Sequence, residues 1–123
     1  MPKPLLLVVE GESALTRLLT RILKREGFTV ESCALAAEAM PRMARGGVDL
    51  VIADFELADR NGALLLAEVH AQYPQVKRML LSSEPGGPAI SQALQQGDVE
   101  ALMLKPWDQA QLVAAVRGLL GRE

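Results

Sequence analysis

Aromatic side chains are scarce in this chain of 123 residues: one Trp, one Tyr and two Phe, 3% of the total. Proteins that hold single-stranded nucleic acid stack bases on aromatic rings, and no such platform can be assembled here. A basic excess is also lacking. Thirteen Lys and Arg stand against fifteen Asp and Glu, for a net charge of -2, which argues against direct nucleic-acid binding. Cysteine appears once, at Cys33, so no internal disulfide forms and a reducing, cytoplasmic setting is expected. The longest apolar runs, such as Leu5–Val9, are five residues, shorter than a signal-peptide core or a membrane span, so no membrane partner is expected. What is plentiful is aliphatic: half the residues are hydrophobic, which excludes disorder and predicts a core of Leu, Val, Ile, Ala and Met. The length suits a single domain over residues 1–123.

Two kinds of segment alternate. Leu5–Glu10 and Leu50–Asp54 are apolar runs that each end in an acid. Their continuous hydrophobicity predicts parallel strands buried on both faces. Phe28–Ser32, Val76–Ser82 and Ala101–Leu104 read as the other strands. Between them lie helical patterns. Glu12–Glu26 carries Leu15, Leu18, Leu19, Ile22 and Leu23 on one face, and Gly27 stops it. Ala36–Arg45 contains Pro41, predicted to kink the helix or push its start later. Asn61–Tyr73 is closed by Pro74, and Pro88–Gln96 has Pro at its start and Gly97 past its end. Asp108 caps a last helix with Leu112, Val113, Val116, Leu119 and Leu120 on its face. Five strand–helix units with right-handed crossovers predict an α/β, doubly wound, three-layer sandwich. Ligands in such folds sit at the carboxyl ends of the strands.

Those ends carry Glu10, Asp54, Ser82 and Lys105. Two carboxylates suit Mg²⁺, which keeps several waters and needs few protein ligands. A lysine and a hydroxyl suit a phosphoryl group, and a carboxylate can itself accept one as an aspartyl phosphate. The other polar residues are less telling. His70 has no acid at ligand spacing and reads as a surface residue; Asp59, Arg60 and Asp98 read as solvated loop charges. The Gly- and Pro-rich stretch Ser83–Pro88 does not open a helix after the first strand and is not read as a phosphate cradle.

The chain resembles the receiver domains of bacterial two-component response regulators, essentially from end to end. Leu5–Met40 is similar to the family's opening through its second helix. VDLVIADFELADRNG (Val48–Gly62), RMLLSSE (Arg78–Glu84) and LMLKPW (Leu102–Trp107) look like its later motifs, and Lys105-Pro106-Trp107-Asp108 resembles one subgroup. That subgroup's outputs include cyclic-di-GMP phosphodiesterase modules and sigma-54-type regulators. The resemblance implies a flavodoxin-like (βα)5 fold with strand order 2-1-3-4-5, and a signalling module rather than a stand-alone enzyme. It makes Asp54 the phosphoacceptor, with Ser82 and Lys105 contacting the phosphoryl group. It makes Glu10, Asp54 and the Glu56 backbone carbonyl the Mg²⁺ ligands. It implies a cis Lys105–Pro106 bond. The implied partners are a histidine kinase or phosphotransfer protein, and an output domain, partner protein or second copy on the face of helix four, strand five and helix five. Trp107 is expected on that face.

Two positions depart from the family pattern. Gly11 stands where the family has a metal-binding Asp, which leaves Mg²⁺ weakly held or not held at all. Glu12, next to it, begins the helix, and the Glu56 side chain reads as a solvated acid. Leu102 stands where the family has an aromatic ring that moves inward on activation, and leucine has no polar edge to drive that movement. These departures raise an alternative beside the working receiver that the intact Asp54, Ser82 and Lys105 support: a pseudo-receiver that binds partners without phosphorylation. A remoter alternative is a flavodoxin-like flavin protein, against which the acid in Gly11-Glu12-Ser13 speaks, because it would repel a flavin phosphate.

Overall fold

A computed structural model describes residues 3–122. In chain order its elements are β1 (Leu5–Val9), α1 (Ser13–Arg25), β2 (Thr29–Cys33), α2 (Ala36–Ala44), β3 (Leu50–Asp54), α3 (Gly62–Gln72), β4 (Lys77–Ser82), α4 (Pro88–Gln95), β5 (Ala101–Leu104) and α5 (Gln109–Leu119). The strands form one parallel sheet in the order β2-β1-β3-β4-β5. This is the α/β flavodoxin-like arrangement expected from the sequence.

Alternation along the strands sends side chains to two cores. Leu7, Val9, Val51, Ala53 and Leu80 meet α2, α3 and α4 on one face. Leu6, Val8, Ile52, Met79 and Leu81 meet Leu19, Ile22 and Leu23 of α1 and Leu112 and Val116 of α5 on the other. The central strand β3 is buried along its whole length, whereas the edge strands β2 and β5 are half exposed.

The starts of two strands differ from expectation, each for a local reason. β2 begins at Thr29 because the Phe28 N–H bonds back to the Leu23 carbonyl and belongs to the closing turn of α1. β4 begins at Lys77 because the Val76 N–H bonds to the Tyr73 carbonyl. α2 starts at Ala36 and runs through Pro41, so the proline does not delay its start. The Asp59 carboxylate reaches across to the first turn of α2 and accepts from the N–H groups of Ala36 and Ala37, at 3.0 and 2.9 Å. Glu38 accepts from Ala34 and Leu35 in the same turn. A helix start needs such acceptors, and Leu35 at the cap position has none to offer.

Asp59 is therefore a cap rather than a free loop charge, and the other loop charges also have partners. Arg60 pairs with Glu68. His70 Nδ1 lies 2.8 Å from Asp98 Oδ1. Arg78, a charged residue inside the expected fourth strand, is buried in β4. It donates to the carbonyls of Asp98 and Gly97 at 3.0 Å and pairs with Glu100 at 3.3 Å. Those acceptors lie in the turn from α4 to β5, so one guanidinium satisfies backbone groups that the fold would otherwise bury unmet.

Candidate functional site

The parallel sheet delivers its polar residues to one edge. Glu10 follows β1, Asp54 ends β3, Ser82 ends β4, and Lys105 follows β5. Ladder bonds fix the edge: Glu10 N–H donates to the Cys33 carbonyl at 3.0 Å, Phe55 N–H to Leu81 at 2.7 Å and Lys105 N–H to Ser82 at 2.9 Å. Behind Asp54, α3 approaches closely. A Cβ on Gly62 would sit 2.2 Å from the Asp54 carbonyl oxygen, so only glycine fits there. Asn61 caps α3 by accepting from the Leu64 N–H.

Three of the four residues converge. Lys105 Nζ lies 3.1 Å from Asp54 Oδ2 and 3.7 Å from Glu10 Oε1. Glu10 and Asp54 are each only 4% exposed. Asp54 Oδ1 accepts from the Glu56 N–H at 3.2 Å, and Glu10 Oε2 from the Glu12 N–H at 3.1 Å. Glu10 Oε1 is buried with no hydrogen-bond partner among the described residues. Ser82 is the exception. It is fully buried, and its hydroxyl accepts from the Glu84 N–H at 2.9 Å instead of meeting Asp54.

Charge in this pocket is unbalanced, with one lysine set against two buried acids. Partial burial works against the Lys105 ammonium, but the hydrogen bond to Asp54 and the charges of Asp54, Glu10 and Glu56 outweigh it and raise its pKa. Burial pushes the Glu10 carboxyl up and the charge of Asp54 adds to this; the Glu12 N–H and Lys105 oppose the rise without cancelling it. A carboxyl whose pKa is higher folded than unfolded costs no stability below its unfolded pKa. The cost builds as pH rises through the folded value. Glu10→Gln keeps an acceptor for Glu12 and offers Asp54 a donor. In Mg²⁺-free buffer at neutral pH this variant is expected to melt a few degrees above the parent. The gain should shrink as pH falls towards 4.5, the ordinary carboxyl value. Calorimetric melting across pH checks it; a variant that melts lower at neutral pH would show that Glu10 is not under strain.

The candidate metal ligands are few. Among the described residues, no three His, Cys, Asp or Glu side chains gather as a metal-holding group. Glu10 and Asp54 are the two carboxylates at hand, and the unmatched Glu10 Oε1 is a vacant ligand atom of the right chemistry. Gly11 lies at the rim of an open groove of about 350 Å³, lined by Ser13, Thr16, Ser32 and Cys33 among others. The Cys33 thiol is half buried, and burial, with the charges of Glu38 and Asp59, pushes its pKa up to about 11, so it is no nucleophile.

Glu56 is exposed, but its side chain is not free. Ser83 Oγ donates to Glu56 Oε1 at 2.7 Å. Leu102 is half buried against the core under α4, opposite Leu80 in the ladder. Trp107 is displaced from its expected face. It packs on the α1 and α5 side and lines a shallow apolar groove with Leu15, Leu18 and Pro106. Period-two alternation fixes side chains only within a strand, and Trp107 lies beyond the end of β5. The Lys105–Pro106 bond is cis. No helix among the described residues is long and apolar enough to cross a membrane.

Comparison with known proteins gives a consistent picture. The family model of the response regulator receiver domain matches residues 6–117. The transcriptional regulatory protein GlrR of Escherichia coli (strain K12) is 32% identical over 111 residues, covering 90% of this chain and 25% of that protein. The sensor kinase CckA of Brucella abortus (strain 2308) is 29% identical over 119 residues, covering 95% of this chain and 12% of that protein. The chain thus spans a quarter or less of the length of these two relatives. Among solved structures, the signal receiver domain of an HD domain-containing protein from Pseudomonas fluorescens Pf-5 superposes with a TM-score of 0.92 at 31% identity. It covers 98% of this chain and 89% of that one. Neither the pseudo-receiver nor the flavin alternative is favoured by these matches.

Proposed function

Because the chain belongs to the response regulator receiver domain family, we propose that it accepts a phosphoryl group on Asp54 and passes the change on through a partner-binding face. The observation that carries this reading is the buried pair Glu10 and Asp54 spanned by Lys105 at the carboxyl edge of the sheet. The donor is a histidine kinase or phosphotransfer protein. An Asp54 carboxylate oxygen attacks phosphorus, the P–N bond to the donor imidazole breaks, and its electron pair returns to the ring nitrogen, which takes up a proton. Lys105 then moves its charge onto the phosphoryl oxygens, and Ser82 turns its hydroxyl from Glu84 to the same group.

Glu10, Asp54 and the Glu56 carbonyl are the residues suited to hold Mg²⁺. The ion's contribution is to offset charge on the transferring oxygens. With Gly11 supplying no carboxylate, binding is weak. Intact mass after incubation with acetyl phosphate and Mg²⁺ tests the reading. One added phosphoryl group is expected; none would leave a module that binds partners without phosphorylation.

The partner face is that of α4, β5 and α5, for an output domain, a partner protein or a second copy. On α4 and its C-terminal cap, Ser91, Gln92, Gln95 and Gln96 are exposed and uncharged, and Leu94 and Leu104 add apolar surface. Leu102 cannot exploit space vacated by Ser82 as an aromatic ring would, so β5 should respond little to phosphorylation. Leu102→Tyr is expected to enlarge the change in hydrogen exchange across β5 when the phosphodonor is added. A large response in the parent that the substitution leaves unchanged would remove Leu102 from the argument.

A further inference from the structure

Two loops flank Asp54, and a side-chain hydrogen bond joins them. Ser83 Oγ donates to Glu56 Oε1 at 2.7 Å, across 27 positions of sequence. Glu56 lies two residues past Asp54 and holds Asp54 Oδ1 through its N–H. Ser83 follows Ser82 and opens the run to α4. We propose that this bond is a latch between the β3–α3 and β4–α4 loops, closed in the unphosphorylated chain and released by the charge placed on Asp54. The proposal rests on Asp54 being the phosphoacceptor.

Two effects act on the latch together. A phosphoryl group carries roughly -1.5 to -2 charges at neutral pH, and because the Asp54 carboxylate gives up its own charge on forming the anhydride, the net gain is about one charge, set farther out on the phosphoryl oxygens. It would arrive where Lys105 already feels the negative charges of Asp54, Glu10 and Glu56, Asp54 most strongly. Glu56 is only two residues from Asp54 in sequence, well within a Debye length of roughly 8 Å, so salt screens little and the Glu56 carboxylate is repelled. Meanwhile Ser82, in turning to the phosphoryl group, gives up the Glu84 N–H that it now holds. Ser83 lies between those two residues and cannot stay in register with Glu56 while both move.

Little else secures this loop. Ser83–Gly87 is exposed and contains Gly86 and Gly87. α4 starts at Pro88 behind Gly87, which has φ +108 and provides no side-chain cap. Opening the latch therefore frees the chain as far as the first turn of α4. This route needs no aromatic ring at position 102.

Hydrogen exchange of a peptide spanning residues 83–91 tests the proposal in two arms. Without phosphodonor, Ser83→Ala and Glu56→Ala should each exchange faster than the parent, by about threefold to tenfold, as for loss of one hydrogen bond of ordinary strength at an exposed site. With acetyl phosphate and Mg²⁺, the parent should rise to the Ser83→Ala rate. Glu56→Gln, which keeps the acceptor without the charge, should rise less. Equal rates for Ser83→Ala and parent in the first arm would overturn the latch. A phosphorylated parent, verified by intact mass, whose loop exchanges no faster would overturn the release. Absence of any mass gain would instead overturn the phosphoacceptor reading, and the trigger with it, while the first arm still reads the latch.

Discussion

Asp54→Asn is expected to abolish labelling by acetyl phosphate, leaving no mass gain and no phosphoryl group releasable by hydroxylamine. An amide cannot serve as the attacking oxyanion, so the loss should be complete. The other acids nearby are poor substitutes. Both Asp59 oxygens are engaged by the first turn of α2, and Glu56 is engaged by Ser83. Glu10 is buried, with one carboxylate oxygen held by the Glu12 N–H. The fold should survive the change, because Lys105 keeps Glu10 as a partner and asparagine can still accept from the Glu56 N–H. Circular dichroism would confirm that loss of label is not loss of structure. Label persisting in the variant, located on another acid by peptide mapping, would overturn the assignment.

The second large effect is expected at position 11. Gly11→Asp should tighten Mg²⁺ by at least about tenfold, since even an indirect partner of a metal ligand typically contributes 10–100-fold. The site can take the side chain. A Cβ at Gly11 meets only the Ala34 carbonyl oxygen, at 3.7 Å, an ordinary contact. The new carboxylate would also add repulsion to the pair already present, so without metal the variant should melt below the parent and with saturating Mg²⁺ above it. Calorimetric titration measures the affinity. If the parent already binds as tightly as the variant, another group fills the gap. The Ser83 bond argues that this group is not the Glu56 side chain.

The strand ends were legible because a parallel, doubly buried strand writes itself as an uninterrupted apolar run, and the acid that breaks the run marks the edge. Leu5–Val9 before Glu10 and Leu50–Ala53 before Asp54 are of this kind. Asp108 capping α5 was legible from the helix-start chemistry of a short acidic side chain. What was not legible depends on tertiary approach. The Asp59 cap acts 22 and 23 positions away, the Ser83 bond 27, and Arg78 collects carbonyls from a turn some 20 residues on. No periodicity records such pairings. Ser82 ends β4 as expected, and what the sequence did not show is that its hydroxyl serves its own loop in the absence of a phosphoryl group, a habit of Ser and Thr at turns.

Gly62 has a mechanical consequence. Its bare Cα lets α3 rest on the carbonyl of Asp54, with the Gly62 N–H donating to the Phe55 carbonyl at 2.9 Å. Asp54 is thereby riveted to the helix that follows it, and the two must travel as one rigid piece. On the opposite flank, β4 ends in an exposed loop with two glycines before α4 begins. Stress created at Asp54 meets a stiff wall on one side and a slack joint on the other. The direction in which a signal can leave is thus set by the missing side chain at position 62 as much as by any residue that is present.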